Sequence, residues 1–309
     1  MTQKPSFTPN DIWERRKFVL TLTKAVGAGL LLSTPSISHA NSFMNERSWT
    51  VGDIMDLFIK QIPNAPFATT VDTLKAGNRD IQVSGIVTTM FATLDVIKKA
   101  IDAGANFIIA HEPTFYNHQD ATDWLQQDDV YRYKADLLQK HNIAIWRNHD
   151  YIHSLKPDGV QSELVAQLGW KNYQDKEKAN RIIMPAVSLQ SLIQQVKKSL
   201  QINTLRYIGD LKQSCKQILL MPGAAGGRRQ IEAIGKEQPD VIVVGEIQEW
   251  ETAEYVRDAI SEGKKLALII LGHIASEEPG SVFMANWIKQ NIPGIAVQHI
   301  PAGNSLSFF

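Results

Sequence analysis

Cysteine is almost absent from this chain of 309 residues, in which Cys215 is the single example. A lone cysteine cannot form an intramolecular disulfide, so no disulfide framework is expected. Cys215 stands just before an apolar run, and we interpret it as a partly buried residue at a strand edge rather than a catalytic thiol. The scarcity of cysteine is compatible with an oxidising compartment but does not require one.

An excess of charge of either sign is also missing. The chain has 32 Lys and Arg against 32 Asp and Glu. Residues 1–40 hold five of the basic and two of the acidic residues, which leaves 27 and 30 and a net charge of −3. Without a basic surplus there is no electrostatic footprint for a polyanion. We therefore expect no nucleic-acid partner.

A hydrophobic run long enough to span a bilayer is the third absence. The apolar stretch Val19–Leu32 has 14 residues, whereas a spanning helix needs about 20. Arg15 and Arg16 precede this stretch, and the small-x-small pattern Ser38–Ala40 follows it. This order predicts a cleaved twin-arginine export signal over residues 1–40, a periplasmic protein and no stable membrane anchor after cleavage. The alternatives are an uncleaved anchor or a chance basic amphipathic helix.

The remaining chain alternates strand-like and helix-like patterns, which predicts an α/β fold with largely parallel or mixed sheets. A polar stretch at residues 171–180 marks the expected boundary between an N-terminal lobe, 41–175, and a C-terminal lobe, 176–309. Strands are predicted at residues 82–89, 106–110, 142–146, 216–221, 240–244 and 266–271. Helices are predicted at residues 93–103, 130–141 and 160–168, and from an N-cap at Ser188 to Leu200.

Histidines concentrate directly after three of the predicted strands. Open α/β sheets bind ligands beyond the carboxyl ends of their strands, so these loops are expected to meet. Seven histidines lie outside residues 1–40. Five of the seven fall in the three loops: His111, His118, His149, His153 and His273.

The last of these loops has a spacing that suits a metal ion. His273 and Glu277 are four residues apart, and a helix beginning near Ala275 would direct both toward one point. Imidazole with carboxylate suits Zn, Fe, Mn, Co or Ni, and a carboxylate can also bridge two ions. Taken with the other loops, this pattern predicts a divalent metal site.

The motifs resemble those of the NIF-three-like family of dinuclear-metal proteins, some of which are called type 2 GTP cyclohydrolase I. The resemblance extends from about residue 50 to the C-terminus. It implies a two-lobed α/β fold, two divalent ions in the cleft between the lobes, and a homo-oligomer that is often a hexameric ring. It also implies metal ligands at His111, Asp150, His273 and Glu277. The matching segments are 83–87, 92–97, 105–111, Asp150 with Gly159 and 168–169, 222–227, and 272–277.

The chain departs from the family pattern at three places. Glu112 stands where the family has the second of two histidines, Trp146 stands where it has a histidine, and Glu249-Trp250 replaces a further histidine pair. Glu112 is then a metal ligand, an acceptor that orients His149 or His153, or a salt-bridged surface residue. As a ligand it would shift the preference toward harder ions such as Mn or Fe.

Three functions are compatible with these residues. The first is a metal-dependent hydrolase for a phosphoester or nucleotide-like small molecule, with Glu112, His149 or His153 as general acid or base. The second is a non-catalytic metal-binding or regulatory protein. The third is a GTP cyclohydrolase, against which export counts. The glycine-rich turn at residues 222–227 is better interpreted as a tight turn than as a phosphate site.

Overall fold

The computed structural model describes residues 48–307, and the predicted signal in residues 1–40 lies outside this range. Within residues 48–307, ten strands form two five-stranded sheets. In spatial order, the first sheet contains β1 (Leu74–Ala76), β4 (Ala144–Arg147), β3 (Phe107–Ala110), β2 (Ile86–Thr89) and β10 (Val297–His299). The second contains β5 (Arg181–Ser188), β7 (Ser214–Met221), β8 (Val241–Val244), β9 (Ala267–Ile270) and β6 (Arg206–Ile208).

Both sheets have a parallel centre and at least one antiparallel edge. Strands β4, β3, β2 and β10 run parallel, and β1 is antiparallel to β4. In the second sheet β7, β8 and β9 run parallel between antiparallel β5 and β6. Strands β3, β8 and β9 are continuous buried runs of apolar residues, as expected for strands covered on both faces. The predicted α/β fold with mixed sheets is confirmed.

Helices flank the two sheets. None of the helices in residues 48–307 is long and apolar enough to span a bilayer. The predicted N-cap at Ser188 is confirmed, because its side chain accepts a hydrogen bond from the Ser191 N–H, and Thr93 caps its helix in the same way by accepting from the Val96 N–H. The α-helices are Val51–Ile59, Leu94–Asp102, Asp129–Lys140, Asp150–Ser154, Gly159–Gln167, Leu189–Leu200, Gly227–Glu237, Glu254–Ser261 and His273–Asn291. Short 3-10 helices span Asp123–Leu125 and Lys171–Tyr173, and a π-helix spans Glu249–Ala253.

The last of these α-helices, the C-terminal helix (His273–Asn291), joins the two sheets. It follows the last central strand of the second sheet, yet its side chains pack in the core of the first. The Trp287 ring lies edge-on to Phe58 with centroids 4.9 Å apart, and Phe58 contacts Trp146 in the same manner. Thr88 in β2 donates a 2.8 Å hydrogen bond to the Ser281 carbonyl. These contacts hold the middle and the second half of the helix against the first sheet.

The structure differs from the sequence expectations in several elements. The C-terminal helix begins at His273 and not near Ala275, so His273 belongs to its first turn. The edge strand β5 was not predicted, because it alternates in burial and contains Pro185, which is tolerated only at a sheet edge. The helix Val51–Ile59 was also missed, although Thr50 forms a capping box at its start.

Candidate metal centre

Three loops that follow parallel strands converge in the structure. His111 and Glu112 directly follow β3, and Asn148 and His149 directly follow the neighbouring β4. His273 comes three residues after Ile270, the last residue of β9 in the other sheet. The loops therefore approach one another from both sheets, as the strand-end pattern predicts.

Four imidazoles in these loops share one arrangement. In each ring Nδ1 is held by an oxygen acceptor on the outer side, which fixes the ring orientation and leaves Nε2 to the inner side. Carboxylates outside the cluster hold three of the rings and a backbone carbonyl holds the fourth. The pairs are His111 with the Asn148 carbonyl at 3.2 Å, His149 with Asp150 at 3.0 Å, His153 with Asp158 at 2.9 Å and His273 with Glu246 at 2.9 Å.

The four Nε2 atoms point toward two buried carboxylates, Glu112 and Glu277. Their distances to the nearest carboxylate oxygens run from 2.9 to 3.8 Å. His273 contacts both carboxylates, at 3.2 Å from Glu112 and 2.9 Å from Glu277. His111 lies 3.4 Å from Glu277, His149 lies 3.8 Å from Glu112, and His153 lies 3.8 Å from Glu277.

This donor set fits a divalent cation. His111 Nε2 is buried and has no hydrogen-bond partner within residues 48–307. Ligand atoms of His111, His149 and His153 lie within 4.8 Å of one another, as do those of His111, Glu112 and Glu277. The first group offers three nitrogens and the second offers nitrogen with carboxylate oxygen, both of which suit first-row divalent metals.

The ionisation of the cluster favours metal binding at some of its members and opposes it at His273. Burial would raise the pKa of Glu277, but its contacts with the His111 and His273 rings and their charge outweigh burial and hold this pKa well below its usual range. Burial opposes charge on His273, yet hydrogen bonds to three surrounding glutamates raise its pKa to about 11. Burial, with the nearby His111, lowers the pKa of His149 to about 4. At neutral pH the carboxylate is ionised and His149 is neutral, the forms in which each ligates a metal, whereas His273 would have to release its proton in order to ligate.

Arg147 contacts two residues of the candidate centre. Its functional importance was not predicted from the sequence. Its guanidinium is fully buried and lies 2.9 Å from Glu112 Oε2, and its Nε donates to the His111 carbonyl at 3.3 Å. Glu112 itself is only 6% exposed, which excludes the surface alternative for this residue. Because Arg147 holds Oε2, the other oxygen, Oε1, faces His149 and His273.

Asp150 lies beside the cluster and its oxygens are held by protein groups. Oδ2 accepts hydrogen bonds from the Thr70 hydroxyl at 2.7 Å and the Val71 N–H at 3.1 Å. Oδ1 contacts His149 Nδ1 at 3.0 Å. In the structure Asp150 thus contacts His149 from outside the two groups of ligand atoms, and its role as a ligand stays a prediction, whereas His153 lies in the first group. His118 is more distant, with its ring centroid 6.1 Å from that of His149.

Glu246 and Asp158 also hold imidazole rings of the cluster, and neither was predicted from the sequence. Glu246 comes two residues after β8, and this position after a buried strand is the sequence feature that could have indicated it. Asp158 also caps the helix Gly159–Gln167 by accepting from two backbone N–H groups. A carboxylate that caps a helix gives no separate sign in the sequence that it also orients a histidine.

The glycine-rich turn contacts Glu277 through its backbone. Gly223 has φ +69°, and a Cβ atom there would lie 2.2 Å from Glu277 Oε1. The Gly223 N–H donates a 2.9 Å hydrogen bond to Ser276 Oγ, in the residue before Glu277. The turn packs against the first turn of the C-terminal helix, which supports its interpretation as a tight structural turn.

The two mixed sheets and the histidine–carboxylate cluster define an α/β protein with a candidate metal centre at the strand ends. The chain belongs to the Duf34/NIF3 (NGG1p interacting factor 3) family, whose profile matches residues 50–304. The resemblance drawn from the sequence motifs is thereby confirmed.

Individual relatives agree with this assignment. A protein named GTP cyclohydrolase 1 type 2 homolog, from Clostridium acetobutylicum, is 26% identical over 227 residues, which cover 70% of this chain and 80% of the relative. The crystal structure of the Staphylococcus aureus hypothetical protein SA1388 aligns with a TM-score of 0.67 at 20% identity, covering 85% of this chain and 99% of that one. A Bacillus cereus protein related to NIF3 aligns with a TM-score of 0.67 at 16% identity, covering 85% and 99%. These structures show the shared fold.

Proposed function

We propose that the protein is a dinuclear metal-dependent hydrolase that acts on a phosphoester or nucleotide-like small molecule. The observation that carries the proposal is the common arrangement of four imidazoles, each with Nδ1 held outside the cluster and Nε2 turned inward. Such outer acceptors are the usual support of metal-binding histidines. A cluster built only for stability would have no need of four inward nitrogens facing two buried carboxylates.

The ligand groups suggest how two ions would be held. His111, His149 and His153 would hold one ion. Glu112 and Glu277, which group with His111, would hold the second together with His273, whose Nε2 contacts both carboxylates. The first group is rich in nitrogen and suits Zn, Co or Ni, whereas the second is rich in oxygen and suits Mn or Fe. Divalent ions in such a pair lower the pKa of bound water and polarise a phosphoryl oxygen.

The chain supplies the remaining steps through its own side chains. Arg147 fixes Glu112 Oε2 and leaves Oε1 facing the cluster, so Glu112 would accept a proton there only where Oε1 is not itself a ligand. Burial opposes ionisation of Glu112, but the hydrogen bond from His273 and nearby histidine charges keep its pKa below the ordinary value. His149 and His153 would act as acid or base only where their Nε2 atoms are not ligands.

The name shared by the relatives raises GTP as a second candidate substrate. A non-catalytic metal-binding protein is the other alternative, since ligands alone do not imply turnover. Export to the periplasm and assembly into a homo-oligomer, for which a hexamer is the expected form, remain part of the proposal.

Metal content and hydrolysis of a substrate panel test the proposal together. Elemental analysis of the purified protein should find bound transition metal, and His273→Ala should reduce it because His273 contacts both carboxylates. His141→Ala should not, because His141 is an exposed residue at the end of the helix Asp129–Lys140. Bis(4-nitrophenyl) phosphate, GTP and a 4-nitroanilide amide would then be incubated with and without added Mn²⁺. Mn²⁺-dependent release of nitrophenol supports a phosphoesterase. Metal binding without turnover of any compound favours the non-catalytic alternative, and conversion of GTP alone favours the cyclohydrolase.

A further inference from the structure

A large cavity lies beside the candidate metal centre. It has a volume of about 1220 Å³, and both His273 and Glu246 line it. Its other walls come from the loop 199–206 and from the C-terminal tail at residues 301–306. Small-molecule sites are typically about 300–1,000 Å³, so this cavity has room for much more than the group that reacts at the metals.

The charged side chains in the cavity wall already have partners in the protein. Glu246 is bonded to His273, and Arg206 lies 2.5 Å from Glu249. Glu278 accepts hydrogen bonds from two backbone N–H groups. Among the described residues that line the cavity, Arg206 is the only Lys or Arg. The described part of the wall therefore has no free cation with which to bind a chain of phosphates.

The rest of the lining is uncharged and mixed in polarity. Apolar side chains stand beside amides and hydroxyls, a combination that binds organic groups with a few hydrogen-bonding atoms. The apolar members include Phe91, Ile247, Ile274 and Val282, and the uncharged polar members include Asn203 and Thr204.

Glu278 makes the tail a fixed part of this wall. Its carboxylate accepts from the Met90 N–H at 3.3 Å and from the Ala302 N–H at 3.1 Å. His299 Nε2 lies 3.3 Å from the same carboxylate, and His299 Nδ1 bonds to the Thr88 carbonyl. The tail is therefore held against β2 and the C-terminal helix. This part of the cavity wall is formed by contacts within the protein and does not need a ligand.

We propose that this cavity binds the uncharged, partly apolar organic arm of a phosphodiester whose phosphate lies at the metal centre. The inference rests on the proposed function and narrows its substrate class. A phosphodiester carries a single negative charge, which would lie at the metal centre. Its organic arm is uncharged and therefore needs no cationic partner in the cavity. A nucleoside triphosphate brings several charges, for which the described lining offers only Arg206 and His273, each already paired with a glutamate.

Calorimetric binding to the Mn²⁺-loaded protein tests the proposal without requiring turnover. Diphenyl phosphate and dimethyl phosphate have the same charge and differ only in their arms. We expect diphenyl phosphate to bind at least about tenfold more tightly, because its rings are removed from water in the cavity. GTP, with Mn²⁺ kept in excess, is expected to bind no more tightly than diphenyl phosphate. Equal affinities for the two diesters, or tighter binding of GTP, would overturn the proposal.

Substitutions at Thr204, an exposed residue of the cavity wall, test whether the preference for diphenyl phosphate arises in this cavity. Thr204→Trp should narrow the cavity and remove most of the tenfold advantage of diphenyl phosphate, whereas Thr204→Ser should retain it. Thr204→Lys combined with Asn304→Lys places two free cations in the wall and should strengthen GTP binding by about tenfold. Circular dichroism checks that each variant is folded. A full preference for diphenyl phosphate in Thr204→Trp, with no gain for GTP in the lysine variant, contradicts the assignment of this cavity.

Hydrolysis of bis(4-nitrophenyl) phosphate, measured separately, distinguishes this inference from the proposed function. A preference for the apolar arm without hydrolysis rejects the hydrolase and leaves the arm site standing. Hydrolysis without any preference for the arm rejects the arm site alone.

Discussion

The carboxylate of Glu277 lies against the backbone of Gly223, so that a side chain on Gly223 would occupy the space of Oε1. Gly223 also has a positive φ of +69°, which favours glycine. Its N–H holds Ser276, the residue before Glu277. The position of this proposed ligand is therefore set by a turn in a different segment of the chain.

Gly223→Ala is expected to displace Glu277 and weaken metal binding by about 10–100-fold, the size of effect found when the support of a ligand is removed. Equilibrium dialysis with Mn²⁺ or Zn²⁺ measures the change. Gly235→Ala is the matched control, because a Cβ atom on that helical glycine would meet no described atom within 4 Å and its backbone needs no positive φ. Unchanged metal affinity in Gly223→Ala would show that Glu277 is not held by the turn or is not a ligand.

Arg147→Met is expected to destabilise the protein by about 3–5 kcal/mol, since it leaves the Glu112 carboxylate buried without its cation. Urea unfolding of the metal-free protein gives the free energy. The double variant Arg147→Met with Glu112→Gln should recover part of the loss, because the uncompensated charge is gone. Additive effects of the two substitutions would mean that this ion pair contributes little to stability.

Substitutions at His153 and Asp150 distinguish a metal ligand from a residue that only orients a ligand. His153→Ala is expected to lower the number of ions per chain, because its Nε2 belongs to the inward group. Asp150→Asn should weaken affinity by about 10–100-fold while the full number of ions still binds at high metal concentration, as for a residue that orients His149. The reverse result, with a site lost in Asp150→Asn and kept in His153→Ala, would assign Asp150 as the ligand that the family resemblance implies.

Lys134 gives the stability a pH dependence that is distinct from the metal centre. Its ammonium is buried and donates to the Thr114 carbonyl at 2.7 Å, and burial lowers its pKa to about 8 from 10.5. Because the folded pKa is depressed, the stability linked to this group is present above pH 10.5 and is lost as the pH falls to 8. Relative to Lys134→Met, the wild type should therefore gain about 1–2 kcal/mol between about pH 7.5 and 9.5. Urea unfolding at the two pH values checks this, with the exposed Lys140→Met as the control.

Replacing Arg15 and Arg16 with Lys tests export. A twin-arginine signal is expected to lose most delivery to the periplasm, because the receptor recognises the arginine pair and not simply its charge. Fractionation of cells followed by immunoblotting measures the distribution. Lys4→Arg serves as the control for a change of basic residue in the same segment. Normal export of the Arg15→Lys/Arg16→Lys variant would indicate another route or no twin-arginine signal.

The sequence predicts the central strands and the strand-end histidines because both are local patterns. Buried runs of Val and Ile mark β8 and β9, and residues directly after such strands are bound to meet at one sheet edge. The supports of the site could not be predicted in this way. Arg147 stands in a polar run that resembles a surface loop, and only the folded chain places its guanidinium under Glu112.

Strand β10 has a consequence for the order in which the molecule assembles. It pairs with β2, with Val297 opposite Ile86, although most of the chain lies between the two strands in sequence. During synthesis from the N-terminus, the first sheet cannot be complete until β10 has left the ribosome. His111 and Glu277 are also far apart along the chain, so an ion held by both could bind only after the segment that contains Glu277 has been made. The compartment in which the chain first folds would then decide which ions are available to the proposed centre.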